Sequence, residues 1–252
     1  MMQEARQERI LSLLLYLFTA VTGLVDAVSY IALGHVFTAN MTGNVVFLGF
    51  ALAGVPGVSA LRCLTALAAF LMGALIGGRL ATTLAPLSSN RWRMIAFGSE
   101  ALFLVGATLA SLGYVSVPFD PTRLYAVIIL TALAMGLRNA TVRKMAQADL
   151  TTTVLTLTIT GLAADSSFAG GSNPRWQRRV MSILFMFAGA AVGAVLLRRS
   201  LALPLAMATI SAVCGVAAFY GSRLLERAET PISAKVPNDA QPNQISARTN
   251  HD

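Results

Sequence analysis

The sequence predicts an all-α, polytopic integral membrane helical bundle made of two internal repeats in inverted orientation. About six full spans are expected, with two short or re-entrant helices between them. Three observations carry this: an apolar composition, long apolar runs along nearly the whole chain, and a pattern of small and polar residues that returns about 114 positions later.

Of the 252 residues, 56% are hydrophobic and 12% charged, with a mean hydropathy of +0.67. Average soluble chains carry about 25% charged residues, so the bilayer is the solvent here. Runs 10–33, 58–82, 93–115, 122–142, 178–198 and 201–222 each reach the roughly 20 residues that cross a hydrocarbon core. The first run is longer than a signal-peptide core and reads as a retained helix. Net charge is +8, yet Arg and Lys fall in short clusters between the apolar runs. That is the pattern of cytoplasmic loops rather than a nucleic-acid surface, so the expected partner is lipid and not nucleic acid. Cys63 and Cys214 lie inside apolar helices and read as small core residues. The domain reading is a cytoplasmic segment 1–9, one transmembrane domain 10–222, and a polar cytoplasmic tail 223–252 expected to be disordered.

The repeats are 10–115 and 122–222. Gly23-Leu24-Val25-Asp26-Ala27 aligns with Gly136-Leu137-Arg138-Asn139-Ala140 at an offset of 113. Thr42 aligns with Thr156 at 114, while Arg62 with Arg178, and Gly73 and Gly77 with Gly189 and Gly193, align at 116. Each copy has a long helix, a short segment (37–54 or 150–165), a Gly-x3-Gly helix and a closing helix. If both short segments cross, giving eight spans, 11 basic residues fall on one side and 8 on the other. If both dip in and return, the split is 15 against 4. The positive-inside rule favours six crossings, both termini cytoplasmic and the copies inverted.

Asp26 is the sharpest candidate. An acid well inside an apolar helix costs about 2.5–3.5 kcal/mol, so it must face the bundle or water. Gly23, Ala27 and Tyr30 share its helical face. It reads either as a proton, cation or substrate site, or as a structural acid holding the short segment. Thr38 and Thr42, and Asn40 and Asn44, are each four apart and would stack if a helix begins near Thr38. Such a helix start directs free N–H groups and a positive dipole end into the membrane. The bland alternative is a capped helix bonding to its neighbours. In the second copy Thr153 and Thr156 offer hydroxyls and Asn139 takes the place of Asp26, with no Asn at the positions of Asn40 and Asn44. Arg138 would pair with Asp26 or an anionic substrate, or, as the commoner case, snorkel to the interface beside Arg143 and Lys144. Glu100 lies deep enough to need a partner. Gly73, Gly77, Gly189 and Gly193 read as close helix packing, within the chain or between copies of a homo-oligomer.

No catalytic constellation emerges. His35 and His251 are the only histidines, which disfavours a metal site or a Ser-His triad. There is no P-loop. No metal, cofactor or catalytic residue is expected, and the chain does not read as an enzyme.

Gly23-Leu-Val-Asp26-Ala-Val-Ser-Tyr30, followed by Phe37-Thr-Ala-Asn-Met-Thr-Gly-Asn44, resembles the signature of the YoaK family of bacterial membrane proteins. The resemblance covers about residues 12–222. The family's second, Thr-rich motif is matched by Thr153-Val154-Leu155-Thr156, with Leu157 where that segment has Gly. The resemblance implies a multi-span bacterial inner-membrane protein and brings no established substrate, cofactor or catalytic residue. The functional expectation is a small secondary transporter or channel-like permease for a small polar or ionic substrate. The alternative is a non-transporting membrane scaffold or accessory subunit.

Overall fold

A computed structural model describes residues 2–84, 89–113, 120–145 and 155–229. The helices are α1 (Met2–Ala32), α2 (Met41–Leu52), α3 (Ala60–Leu84), α4 (Ser89–Ser111), α5 (Pro121–Lys144), α6 (Leu155–Ala164), α7 (Trp176–Leu197) and α8 (Ala202–Glu229), with a 3-10 turn at Ser167–Ala169. No strand occurs among the described residues. In α1, α3, α4, α5 and α7 the apolar stretch is long enough to cross a bilayer, and α8 is apolar over Ala202–Ala217. Helix α1 begins at Met2 and so absorbs most of segment 1–9, while α8 runs to Glu229, past the expected end at 222. The tail from 230 and Thr153 lie outside the described residues.

At 1.5 Å per residue, the 12 residues of α2 and 10 of α6 are about 18 and 15 Å long, half a hydrocarbon core. Local signals explain the ends where they are clear. Pro121 sits in the first turn of α5, and the Asp120 carboxylate accepts from Thr122 N–H at 2.9 Å.

Lipid tails are as apolar as the helices, so close van der Waals approach must hold the bundle together. Glycines provide it. Gly73 and Gly77 of α3 lie against the Leu133 and Leu137 carbonyls of α5, and a Cβ on Gly77 would stand 2.8 Å from Leu137 O. Gly189 and Gly193 of α7 lie in the same way against Ala20 and Leu24 of α1, with 3.0 Å from a Cβ on Gly193 to Leu24 O. Rising numbers meet rising numbers in both pairs, so α3 is parallel to α5 and α7 to α1. Adding 113 to the α1 positions and 116 to the α3 positions turns each contact into its counterpart. Gly23 against Met186 and Ala190, and Gly136 against Phe70 and Ala74, follow the same rule. The Gly-x3-Gly pairs thus pack within the chain.

Helices α1 and α5 run antiparallel. Leu15 and Phe18 share a buried cluster with Val142, whereas Val28 and Leu33 share another with Leu124 and Ile128. These clusters mark opposite ends of the bundle. Val36 still belongs to the Leu33 end, but Ala39 has descended to a middle cluster with Val21 and Val25. Arg62, at the start of α3, reaches back to the Gly34 carbonyl at 3.5 Å. The chain between α1 and α3 therefore leaves and returns at one end, with the N-terminus of α2 deep inside. Arg178, at the start of α7, reaches Ser12 of α1 at 3.4 Å. The link from α5 to α7 thus begins and ends at the opposite end.

A buried ion pair ties α4, α5 and α1 together. Arg138 Nε donates to Glu100 Oε1 at 2.8 Å, and Nη2 donates to the same oxygen. Its Nη1 donates to the Phe18 carbonyl at 3.0 Å, with the guanidinium 4.9 Å from the Phe18 ring centre. Both Arg138 and Glu100 are fully buried. The expectation that Arg138 snorkels is therefore corrected, and so is a pair with Asp26. A carboxylate on the facing helix and the Phe18 carbonyl satisfy the guanidinium where it stands, so it has no need to reach the interface.

Four mutational outcomes follow from this packing. Gly189→Ala drives a methyl into the Ala20 carbonyl, where the backbone must shift, and should cost at least 1–3 kcal/mol or about that. Gly78 faces open space, so Gly78→Ala should be neutral or gain up to about 1 kcal/mol from helix propensity. Glu100→Ala should cost about 3–5 kcal/mol by leaving a buried cation, while Glu100→Leu with Arg138→Met together should cost less than either alone. Unfolding in detergent monitored by circular dichroism, with the fraction monodisperse, checks all four.

Candidate functional site

Residues 33–40 break the helix inside the bundle, and their N–H groups need acceptors where water is scarce. Two side chains provide them. Asp26 Oδ1 accepts from Ala39 N–H at 2.9 Å and lies 3.4 Å from Asn40 N. Asn44 accepts from Phe37 N–H at 2.8 Å and donates to the Phe37 carbonyl at 2.5 Å. Asn44 is fully buried and Asp26 nearly so. Phe37 in turn stacks on Tyr30 and Phe47 at centroid distances of 5.3 and 5.7 Å.

This geometry corrects the expected helix start. The helix begins at Met41, and Asn40 is its N-cap with φ −94° and ψ 83°, without a side-chain cap bond. Thr38 and Asn40 precede the helix, so they do not stack on Thr42 and Asn44. The reason is the seven-residue closure by Asn44, which turns the chain sharply before the helix can start. In place of its own cap residue, α2 has the Asp26 carboxylate of α1 at its positive end.

Beside this junction lies a cavity of about 240 Å³. Its walls are Thr22 and Asp26 of α1, Asn40, Thr42 and Gly43 at the tip of α2, and Leu155 and Thr156 at the N-terminal end of α6, completed by Ala39, Val46 and Met186. The tips of both short helices thus meet one cavity, with a carboxylate in its wall. Among the described residues no Arg, Lys or His lines it. Thr22 Oγ1 donates to the Phe18 carbonyl at 2.9 Å, the oxygen that Arg138 also contacts, so a hydrogen-bond chain runs from the cavity wall to the Glu100–Arg138 pair.

Of the residues expected at a site, Asp26, Asn40, Thr42 and Thr156 meet in this cavity. Thr38 and Asn44 do not line it. Thr38 is fully buried with a hydroxyl that has no partner among the described residues, and Asn44 locks the turn. Asn139 is half-buried on α5 and away from the cavity lining. Glu100 and Arg138 pair with each other behind the wall. Thr22 and Met186 were missed. Thr22 stands four residues before Asp26 on the same helical face and was readable from that spacing, whereas Met186 comes from the distant α7 and left no local signal.

Comparison with known proteins fits this architecture. The family model described as "Protein of unknown function (DUF1275)" matches residues 14–220. A relative, the UPF0700 transmembrane protein YoaK of Bacillus subtilis (strain 168), is 36% identical over 158 residues, which covers 61% of this chain and 66% of the relative. The aligned part is just under two thirds of that relative's length. No solved structure matches. The chain is a multi-pass membrane protein and belongs to the DUF1275 family of YoaK-like transmembrane proteins.

Proposed function

We propose that this chain is a small secondary transporter or channel-like permease, with its substrate site in the cavity between Asp26 and the tips of α2 and α6. The observation that carries the reading is the convergence of two interrupted helices and a buried acid on one cavity. Broken helices whose tips meet near the middle of a bundle are the usual frame of a transporter site. The packing supports two inverted copies of one unit, since equivalent helices α1 and α5 are antiparallel and equivalent glycine contacts recur at fixed offsets. Charge supports an orientation. Arg62, Arg123, Arg198 and Arg199 belong to the bundle end where α1 finishes and α5 starts, and the other 15 basic residues fall toward the opposite end or along α5 and the tail. Both termini then face the cytoplasm of a bacterium, in the inner membrane. The protein acts without catalysis, and a small polar or ionic solute is its cargo.

A second reading rests on the same hydrogen bonds. Asp26 holds the entry to α2, so its role in a scaffold or accessory subunit would be assembly alone.

Flux measurements separate the two. In proteoliposomes, wild type should move at least one solute from a panel of small ions and polar metabolites, and Asp26→Asn should change that flux at least tenfold with folding intact. Asn44→Ala leaves both Phe37 backbone groups without their partner and should cost about 1–3 kcal/mol while also lowering flux. Flux indistinguishable from empty vesicles across the panel, with Asp26→Asn reducing only the yield of a co-purifying partner, would favour the scaffold.

A further inference from the structure

We infer that the bundle end formed by α3, α4 and α5 binds the headgroup of an anionic phospholipid, with Arg79, Arg143 and Lys144 as the phosphate-binding side chains. Such binding is independent of any transport through the cavity.

Three helix ends meet there. Ala81 of α3, Trp92 and Ala96 of α4 and Leu137 of α5 share one buried cluster, with Leu84 and Met145 packed against it. The end of α3, the start of α4 and the end of α5 therefore lie side by side. Arg79 stands shortly before Leu84, Arg91 and Arg93 flank Trp92, and Arg143 and Lys144 directly precede Met145. Five basic residues thus gather around one apolar core. Arg79, Arg143 and Lys144 are exposed, and none of the three has an ion pair or side-chain hydrogen bond among the described residues.

Acids do not offset this charge. Within 60–145 the acids are Glu100, spent on Arg138 in the interior, and Asp120, at the opposite end beside Arg123. By sequence, the link 85–88 holds no acid and 146–154 holds one, Asp149. The neighbouring ends of α1 and α8 carry acids and bases in equal number: Glu4 and Glu8 with Arg6 and Arg9, Glu226 and Glu229 with Arg223 and Arg227. The C-terminal ends of α3 and α5 add about half a negative charge each. With Asp149 and both helix ends counted against it, a surplus of about three positive charges remains.

That surplus sits at the head of a lipid-facing stripe. Leu71, Met72 and Leu75 are each more than half exposed, on a helix long enough to cross the bilayer. Positions 72, 75 and 79 share one helical face, so Arg79 crowns this apolar strip. A phospholipid lying on it meets leucine and methionine along an acyl chain and cations at its phosphate. The Thr82 and Thr83 hydroxyls both donate to the Arg79 carbonyl, at 3.0 and 2.8 Å, so recognition falls to the cations. Guanidinium and ammonium groups bind phosphate oxygens strongly, and Lys/Arg clusters of about four to eight beside a membrane helix select anionic lipids. A zwitterionic headgroup carries its own cation, which this end repels.

Native mass spectrometry of the full-length protein in detergent, with equal amounts of dioleoylphosphatidylglycerol and dioleoylphosphatidylcholine, tests this. Phosphatidylglycerol should be retained about tenfold or more over phosphatidylcholine. Arg79→Gln, Arg143→Gln and Lys144→Gln together should bring the ratio below about threefold. Arg123→Gln, Arg198→Gln and Arg199→Gln, at the opposite end, should leave it unchanged. Basic residues that serve only to orient the chain confer no lipid preference, so equal retention of the two lipids by wild type would overturn the inference. An unchanged ratio in the first triple variant would do the same. So would displacement of the lipid by equimolar inorganic phosphate, which assigns the site to a free anion. If that variant does not fold, a photoreactive phosphatidylglycerol on wild type decides. Cross-links should fall within 71–84 or 139–145, and cross-links confined to the Arg123 and Arg198 end would contradict the assignment.

Discussion

Backbone N–H groups cannot be left bare in hydrocarbon, because each one unpaired there costs several kcal/mol. This constraint shapes the whole first half of the chain. Where α1 ends and the chain turns back into the bundle, residues 37, 39 and 40 present N–H groups at depth, and Asp26 and Asn44 accept them. Those two side chains fix the turn and with it the start of α2 and one wall of the cavity at its tip. The acid's structural and functional readings therefore are not rivals in geometry. The carboxylate that holds the turn is also the charge exposed to the cavity, which is how a change at the cavity would be felt by the fold of α2.

The remaining frame comes from close packing rather than from polar bonds. Glycines at the α3–α5 and α7–α1 crossings bring backbone onto backbone, and the two crossings match residue for residue between halves. Where the halves differ, they differ in charge. Under the same offset of 113, Arg138 corresponds to Val25 and Asn139 to Asp26. The first substitution is absorbed by Glu100 and the Phe18 carbonyl. The second leaves Asp26 without an acidic counterpart, and among the described residues it is the one acid that lines the cavity.

Much of this was legible in the residues. Length and hydropathy gave the long helices, the Gly-x3-Gly spacing gave the tight crossings, and Asp26 stood out because an acid in an apolar helix needs a reason. What escaped depended on partners far away in the chain. Arg138 reads as a snorkelling residue because its position alone says so, and only Glu100, 38 residues earlier, explains its burial. Asn44 reads as one of a stacked pair because helical spacing was assumed from Thr38, whereas its bonds go back seven residues to Phe37 and delay the helix to Met41. The pairing of the short segment with Asp26 was foreseeable as a need but not as a geometry, since loop paths of 33–40 follow from closure and not from propensity.

The account's central claim is that the two short helices enter from opposite faces of the membrane and return to the face they left. Single cysteines placed at Gly34, Pro56 and Ser172 in a background lacking Cys63 and Cys214 can be labelled with a membrane-impermeant maleimide in intact cells and in inverted vesicles. The account predicts that positions 34 and 56 label together from one face and position 172 from the other. Labelling of 34 and 56 from different faces would mean that α2 crosses, and would contradict the inverted, re-entrant arrangement.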